Sequence, residues 1–269
     1  MSDSEEILPE TEKVLYEVED HVATVTINRP EKMNAMDPDT YQALSEAWAR
    51  IRDDSDVWVG IVTGAGTDAF SAGADLNTSI TPGEGEWDAF WRTQEQMLLN
   101  NGMEVWTPII GAVNGYCLGG GMTLLLATDI RITGENAQFG LSEVKRGILP
   151  GNGGTQRVTK QLPYPLAMEF LLTGDQFDAE TLREWGLVNR VVPTDEVMDA
   201  AAEFADRILA NGPLALQAIK ELAIRGQYMP LDDGLRLEES FQRHLKQTED
   251  ADEGVRAFRE DREPEWQGK

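Results

Sequence analysis

Residues 67–75, Thr-Asp-Ala-Phe-Ser-Ala-Gly-Ala-Asp, and residues 114–121, Asn-Gly-Tyr-Cys-Leu-Gly-Gly-Gly, are the most informative stretches of this chain. Each consists mostly of small residues and follows an apolar run, so each is predicted to be a junction between a strand and a loop. Glycine and alanine leave the backbone N–H groups unobstructed at such a junction. Two loops of this kind can converge on one ligand oxygen, so they predict a site built from main-chain donors.

The segments around these loops alternate between predicted strands and predicted helices. Apolar runs predict strands at 14–18, 23–27, 57–63, 109–113, 130–133 and 187–192. Asp37 followed by Pro38 predicts a capped helix. Its apolar stripe is Tyr41, Leu44, Trp48 and Ile51. Further helices are predicted at 122–127, 195–210, 214–225, 231–247 and 251–260. This order indicates an α/β core followed by C-terminal helices.

The chain is expected to act as one unit with three parts. Residues 1–12 are acidic and lack both a basic start and an apolar segment, so we expect a mobile tail and not a signal peptide. Residues 13–200 are expected to form the core, and residues 201–269 the C-terminal helical region. The longest apolar runs are far too short to cross a bilayer, so no membrane partner is expected.

Several longer motifs extend the pattern of the two loops. They are Asn28-Arg29-Pro30, Asn34-Ala35, Phe70-Ser71-Ala72-Gly73-Ala74-Asp75, Asn114-Gly115-Tyr116, Gly119-Gly120-Gly121, Phe139-Gly140 and, at 150–157, Pro-Gly-Asn-Gly-Gly-Thr-Gln-Arg. With these motifs the chain resembles the enoyl-CoA hydratase/isomerase (crotonase) superfamily from about residue 14 to residue 266. The resemblance implies a crotonase-like spiral of ββα units and an acyl-CoA substrate. It implies no separate cofactor, since coenzyme A enters as part of the substrate.

The resemblance implies that the amides of Ala74 and Gly120 form an oxyanion hole for the thioester. The residues support this independently, because three glycines before an apolar helix expose N–H groups at the positive end of the helix. Such donors stabilise the negative charge of an enolate, and one is typically worth roughly 3–4 kcal/mol of barrier. Taken alone, the glycine triplet is also compatible with close packing of a helix on a strand.

One of the two acidic positions of the family is changed in this chain. Family hydratases resemble one another in carrying two glutamates, and the second is present here as Glu143, a catalytic candidate, whereas the first is Thr123. A threonine hydroxyl can orient water but cannot take up a proton near neutral pH. Moving a double bond needs only one carboxylate, and family isomerases have this arrangement. We therefore expect isomerisation of a 3-enoyl-CoA to a 2-enoyl-CoA.

Two alternatives stay open. The first is hydration of an enoyl-CoA by Glu143 and a water held by Thr123, with Glu95 or Glu104 as a source of a second acid. The second belongs to another class, an acyl-CoA-binding protein without catalytic activity.

The resemblance also implies substrate contacts beyond the catalytic groups. Lys32 is similar to a residue near the adenine-ribose phosphates, and Trp91 belongs to an aromatic stripe at 87–98 where the family places its variable acyl wall. The full set expected to bind substrate is Lys32, Ala72, Asp75, Leu76, Trp91, Tyr116, Gly119, Thr123 and Pro150. Asp75 and Asp129 are expected to cap loops or pair with arginines and not to act in catalysis.

Other chemistries are less well supported. Residues 64–69, Gly-Ala-Gly-Thr-Asp-Ala, match a dinucleotide-binding pattern, but no second strand with a terminal acid follows, so a tight turn is the better interpretation. His21 and His244 lie far from every motif. We therefore expect neither a hydrolytic triad nor a metal site.

The net charge of the 269-residue chain is −25, which argues against nucleic acid or an anionic membrane as partner because phosphates repel such a surface. Between Glu143 and Lys160 the balance is reversed, with one acid against Lys145, Arg146, Arg157 and Lys160. This basic island is either a phosphate attractor or a set of surface cations.

The remaining expectations concern the setting of the protein. Cys117 is the one cysteine, so no disulfide can form within the chain, as suits a reducing cytoplasm. The family resemblance implies a homo-oligomer, a trimer or a hexamer made of two trimers, assembled through the C-terminal helices. Phe241, Leu245, Val255 and Phe258 are suited to that docking.

Overall fold

The computed structural model describes residues 13–76 and 98–269 of the chain. The expected acidic tail at 1–12, Glu95, and all of the aromatic stripe before Leu98, including Trp91, lie outside the described residues. No helix in the described part is long and apolar enough to cross a membrane. Within that part there is also no group of three His, Cys, Asp or Glu side chains placed to hold a metal ion.

Two sheets form the framework. The six-stranded sheet has the order β1 (Val14–Glu19), β2 (Val22–Ile27), β3 (Val59–Gly64), β5 (Ile109–Val113), β7 (Ile130–Gly134) and β10 (Arg190–Val192). The four-stranded sheet has the order β4 (Ala69–Ser71), β6 (Tyr116–Leu118), β8 (Gln138–Gly140) and β9 (Gln176–Asp178). Only the β1–β2 and β8–β9 pairs within these sheets are antiparallel.

The chain winds through the two sheets as a spiral. The strand pairs β3–β4, β5–β6 and β7–β8 each place their first strand in the large sheet and their second strand in the small one. A helix, α2 (Gly120–Leu125), follows β6 directly. The mixed α/β architecture of ββα turns is therefore confirmed. Each of these pairs ends with a short strand of the small sheet. The loops that follow β4, β6 and β8 therefore lie side by side.

Helices cover both sides of the large sheet. α1 (Pro38–Asp53) begins at the N-cap Asp37, as predicted, and buries Leu44, Trp48 and Ile51 in the main core. α6 (Val197–Leu209) packs a second apolar cluster against β3, β5 and β7. Strands β3 and β5 are buried at every residue, which explains their continuous apolar sequence.

The remaining α-helices of the described residues lie in the second half of the chain. They are α3 (Gly154–Gln161), α4 (Tyr164–Thr173), α5 (Ala179–Glu184), α7 (Pro213–Gly226), α8 (Leu231–Leu245) and α9 (Glu249–Glu260). Short 3₁₀ helices in the described residues are Pro30–Lys32, Ser142–Arg146 and Thr194–Glu196. The predicted C-terminal helices are confirmed to within a few residues. α8 buries none of its residues, although it carries several apolar side chains.

Candidate active site

The two small-residue loops meet at the end of the small sheet. β4 and β6 pair in parallel, so the segments that follow them, 72–75 and 119–121, leave the sheet next to one another. A β-carbon on Gly73 would lie 2.9 Å from the Gly120 nitrogen, and one on Gly120 would lie 3.4 Å from the Ala74 nitrogen. The backbones can approach this closely only because glycine occupies both positions.

The N–H groups of Ala74 and Gly120 have no acceptor among the described residues. The residues on either side of Ala74 both form backbone hydrogen bonds with Met36. Met36 N donates to Gly73 O at 2.8 Å, and Asp75 N donates to Met36 O at 2.9 Å. A parallel bridge between Met36 and Ala74 fixes this segment, so the Ala74 N–H points away from Met36. Two unpaired donors side by side are the arrangement that binds one carbonyl or enolate oxygen.

Glu143 lies beside this pair of donors. It belongs to the 3₁₀ helix that follows β8, and its Oε1 would be 3.3 Å from a β-carbon on Gly119. Its Oε2 is buried without a hydrogen-bond partner among the described residues. Burial raises the pKa of this carboxyl, and a backbone hydrogen bond and Arg146 only partly oppose the rise. A carboxylate in such an environment is suited to accept and return a proton.

Thr123 has a buried hydroxyl with two protein partners. It donates to Gly120 O and accepts from the Asn100 side-chain amide, both at 3.0 Å, and the residue is 1% exposed. Its methyl carbon would lie 3.0 Å from a β-carbon on Gly154, next to Pro150. Thr123 thus holds the glycine loop in place through its hydrogen bond to Gly120 O. Its proton is already used, so a water at this hydroxyl would have to be the donor.

The Asn28-Arg29-Pro30 and Asn34-Ala35 motifs act as a scaffold for the Ala74 loop. The Asn34 side chain donates to Ala69 O at 2.6 Å and to Ala65 O at 3.0 Å. The Ser71 hydroxyl donates to Asn34 O at 2.8 Å. These bonds also close the loop at residues 64–66 as a turn, because β4 begins at Ala69 and no helix opens at the glycines. The dinucleotide alternative is thereby excluded.

Asp75 and Asp129 both form ion pairs. Asp75 lies 3.3 Å from the Arg29 guanidinium, as expected. Asp129 pairs with Lys220 at 2.7 Å, so its partner is a lysine and not an arginine, and it also accepts from Ile109 N.

The other expected substrate-binding residues lie around the loops at different depths. Lys32 is exposed at the end of a 3₁₀ helix, one residue from Met33, whose carbonyl accepts from Ala72 N. Leu76 and Tyr116 are exposed apolar side chains. Gly119 adopts a φ of 51°, which favours glycine, and donates to Gly140 O.

The basic island does not form one cluster of unpaired charges. Lys145 pairs with Asp175 at 2.8 Å, and Arg157 donates to Asn100 O and Asn152 O. Lys160 lies 3.7 Å from the centre of the Tyr228 ring. Arg157 therefore supports the loop that carries Asn100, which favours a structural role for this arginine.

Two residues at the site were missed by sequence reasoning. Tyr41 was assigned to the apolar stripe of α1, yet its hydroxyl would lie 2.8 Å from a β-carbon on Gly120. Asn100 belongs to no recognised motif, and its hydrogen bond to Thr123 joins residues that are 23 positions apart in the sequence. The stripe itself gave a signal for Tyr41, because a tyrosine at the first turn of a buried face must place its hydroxyl somewhere polar.

Comparison with known proteins agrees with this geometry. The enoyl-CoA hydratase/isomerase family model matches residues 17–269. The chain belongs to this family. It is 42% identical over 255 residues to the (E)-benzylidenesuccinyl-CoA hydratase of Thauera aromatica, covering 95% of this chain and 99% of the relative. It is 40% identical to the carnitinyl-CoA dehydratase of Salmonella enteritidis PT4, covering 92% of this chain and 95% of that protein.

A solved family structure shows the same fold. The crystal structure of an enoyl-CoA hydratase from Bacillus anthracis matches with a TM-score of 0.88 at 32% identity, over 96% of this chain and 100% of that one. The protein is therefore an acyl-CoA enzyme of the enoyl-CoA hydratase/isomerase family. Its named relatives add or remove water, so they favour hydration, our first alternative, over the double-bond isomerisation that we expected first.

Proposed function

We propose that this protein adds water to the double bond of a 2-enoyl-CoA and catalyses the reverse dehydration. The observation that carries the proposal is the convergence of two unpaired N–H groups, from Ala74 and Gly120, beside the partly buried carboxyl of Glu143. Donors for a thioester oxygen together with one proton-transferring group suffice for chemistry through an enolate. The hydratase and dehydratase among the relatives favour water as the second reactant.

In the proposed reaction Glu143 begins as a carboxylate. It takes one proton from water as the water oxygen bonds to the β-carbon of the enoyl group. The electrons of the double bond move toward the thioester, and the resulting negative oxygen accepts hydrogen bonds from Ala74 N and Gly120 N. Glu143 then gives its proton to the α-carbon and is a carboxylate again, so one H and one OH have been added.

Thr123 is proposed to contribute mainly by fixing the position of the glycine loop. Its hydroxyl holds Gly120 O and the Asn100 amide, so it fixes the loop that carries one of the donors. A water can still donate to the Thr123 oxygen, and in that position it would be held near Gly120. The proposed role for Thr123 is therefore support of the glycine loop, with water orientation through its oxygen.

Isomerisation of a 3-enoyl-CoA remains the second candidate. It is favoured by Thr123 in place of a second glutamate, because a single carboxylate can move a proton between two carbons. The same donors and the same Glu143 would serve this reaction without water.

One assay distinguishes these functions. The purified protein is mixed separately with a 2-enoyl-CoA and with a 3-enoyl-CoA, and the absorbance of the conjugated thioester is followed. We expect a loss of absorbance from the 2-enoyl substrate. A gain from the 3-enoyl substrate without that loss would establish isomerisation instead. Binding of both compounds without any change would establish a non-catalytic acyl-CoA-binding protein.

We also propose that Lys32 contacts the phosphates of coenzyme A. Its ammonium is exposed next to Met33, whose carbonyl is tied to Ala72 at the start of the Ala74 loop. A cation here would offset the repulsion between a polyanionic ligand and a protein of net charge −25.

A homo-oligomer, a trimer or a hexamer, is proposed for the assembled protein. Support comes from large apolar side chains that the C-terminal helices leave exposed, among them Leu231 at 75% and Phe258 at 89%. Large exposed apolar side chains are typical of surfaces that dock against another chain.

A further inference from the structure

The hydroxyl of Tyr41 lies beside the two unpaired N–H groups. A β-carbon on Gly120 would be 2.8 Å from Tyr41 Oη, 3.1 Å from Met36 Cε and 3.4 Å from Ala74 N. The phenol therefore shares one small space with the proposed donors of the oxyanion hole. It reaches this space from the first turn of α1, which Asp37 caps and Pro38 opens.

This hydroxyl has no hydrogen-bond partner among the described residues, whether backbone or side chain. It forms no hydrogen bond with Glu143, whose Oε2 has no partner among the described residues. Burial, followed by the charge of Glu143, raises the pKa of Tyr41 to about 12. At neutral pH the phenol therefore keeps its proton and can act only as a neutral donor or acceptor.

A hydroxyl without a protein partner is free to form a hydrogen bond with a ligand. The backbone nitrogens of Ala74 and Gly120 are themselves donors, so they cannot accept its proton. A ligand oxygen placed between Ala74 N and Gly120 N can accept it, because the oxygen gains negative charge and a third lone pair as a carbonyl becomes an enolate.

We propose that Tyr41 is a third hydrogen-bond donor to the thioester oxygen of the substrate, alongside the N–H groups of Ala74 and Gly120. The inference rests on the proposed function, since it concerns the same oxygen. It adds a catalytic residue to that site. No proton is transferred by Tyr41, whose O–H stays intact while the charge on the oxygen rises and falls.

The test compares Tyr41→Phe with Tyr16→Phe. Tyr16 is the control, because its hydroxyl also lacks a hydrogen-bond partner among the described residues but is buried on β1, under the Arg50 guanidinium. Phenylalanine keeps the ring packing at both positions. We expect kcat for hydration to fall by about 10²–10³-fold in Tyr41→Phe, with a smaller change in KM, and to stay unchanged in Tyr16→Phe.

A spectroscopic measurement tests the same bond without turnover. Butyryl-CoA carrying ¹³C at the thioester carbon cannot be hydrated, and its C=O stretch is recorded in the bound state by difference infrared spectroscopy. We expect the wild-type protein and Tyr16→Phe to lower the frequency equally, and Tyr41→Phe to lower it less. An unchanged frequency in Tyr41→Phe would overturn the inference, whatever happens to kcat. If the wild-type protein hydrates no enoyl-CoA, the proposed function fails while the infrared comparison still decides on Tyr41.

Discussion

We propose Glu143 as the proton carrier of the site because of where its two oxygens lie. One is beside Gly119 and the other is buried without a hydrogen bond among the described residues. Desolvation penalises the charged form, so the carboxyl holds a proton more readily than an exposed glutamate does. Sequence reasoning could identify this residue from its motif. It could not show the unpaired oxygen, since that depends on packing by residues distant in the chain.

Replacing Glu143 tests its role as the proton carrier. Glu143→Gln keeps the size but removes the base, so we expect hydration to fall by about 10²–10⁴-fold. In the wild type, kcat/KM should rise with pH as the carboxyl ionises. Because burial raises the pKa of Glu143, this rise should lie above the usual glutamate value of about 4.3. An acidic limb at or below that value, or one that persists in Glu143→Gln, would contradict the assignment.

Replacing Thr123 separates support of the loop from water orientation. Thr123→Val leaves the Asn100 amide without its partner and removes the side-chain hydrogen bond to Gly120 O, so we expect a loss of about 1–3 kcal/mol in the free energy of unfolding. Thr123→Ser keeps the hydroxyl and should lose less. Denaturant unfolding measures both. If Thr123→Val were as stable as the wild type, the proposed support of the glycine loop would be wrong. A loss of kcat without a loss of stability would then indicate that Thr123 orients the water.

The elements of the fold differ in how far their sequences predict them. The buried strands β3 and β5 are six and five residues long, and their nearly continuous apolar runs alone predict them. The strands β4, β6 and β8 have three residues each, too few to show a period, so they were not predicted. They are nevertheless the strands that align the two loops. The position of the site could be inferred from motifs, but the pairing that builds it could not.

The start of α1 links the scaffold to the site. Asp37 accepts from Thr40 N at 2.9 Å as the helix cap, and it pairs with Lys13 at 2.9 Å and with Arg29 at 3.3 Å. Arg29 in turn pairs with Asp75 in the Ala74 loop. The Asp37 carboxylate therefore orients the helix that carries Tyr41 and, through Arg29, the segment that carries Ala74.

We expect Asp37→Ala to lower the free energy of unfolding by about 1–2 kcal/mol through the lost helix cap, because Arg29 keeps its ion pair with Asp75. Asp39→Ala is the control, since Asp39 pairs with the same Lys13 but is well exposed, and it should change stability by less than about 0.5 kcal/mol. Equal effects of the two substitutions, measured by denaturant unfolding, would contradict the role of Asp37.

The stability contributed by Asp37 should depend on pH. Burial alone would raise the pKa of Asp37, but hydrogen bonds from Lys13 and Thr40 and the charge of Arg29 lower it to about 2. A folded-state pKa below the unfolded value of about 3.9 means that the contribution is complete above that value and is lost as the pH falls through about 2. The difference between wild type and Asp37→Ala should therefore shrink over this acidic range. A difference that grows toward low pH would contradict the shift.

At the scale of the whole molecule, negative charge and apolar surface are both in excess. The net charge is −25, yet α8 buries no residue and Phe258 on α9 is almost fully exposed. The charge favours solubility, whereas the apolar helices favour association. The sequence pattern could predict amphipathic helices here, but one chain alone cannot bury their apolar faces.

Sedimentation measures the expected assembly. We expect the wild type to sediment at about three or six times the chain mass of 29.8 kDa. Phe258→Glu adds a charge to the exposed face and should shift the protein toward smaller species, whereas Arg259→Ala, at the next position on α9, should not. A monomeric wild type would contradict the proposed oligomer without affecting the proposed chemistry.

The central claim is that one thioester oxygen is held by two main-chain N–H groups beside Glu143. The crystal structure of Glu143→Gln with a bound 2-enoyl-CoA tests it most directly, because that variant should hold substrate without converting it. We predict the thioester oxygen within about 3 Å of both Ala74 N and Gly120 N, with the α-carbon facing residue 143. A thioester oxygen that contacts neither nitrogen would contradict the account.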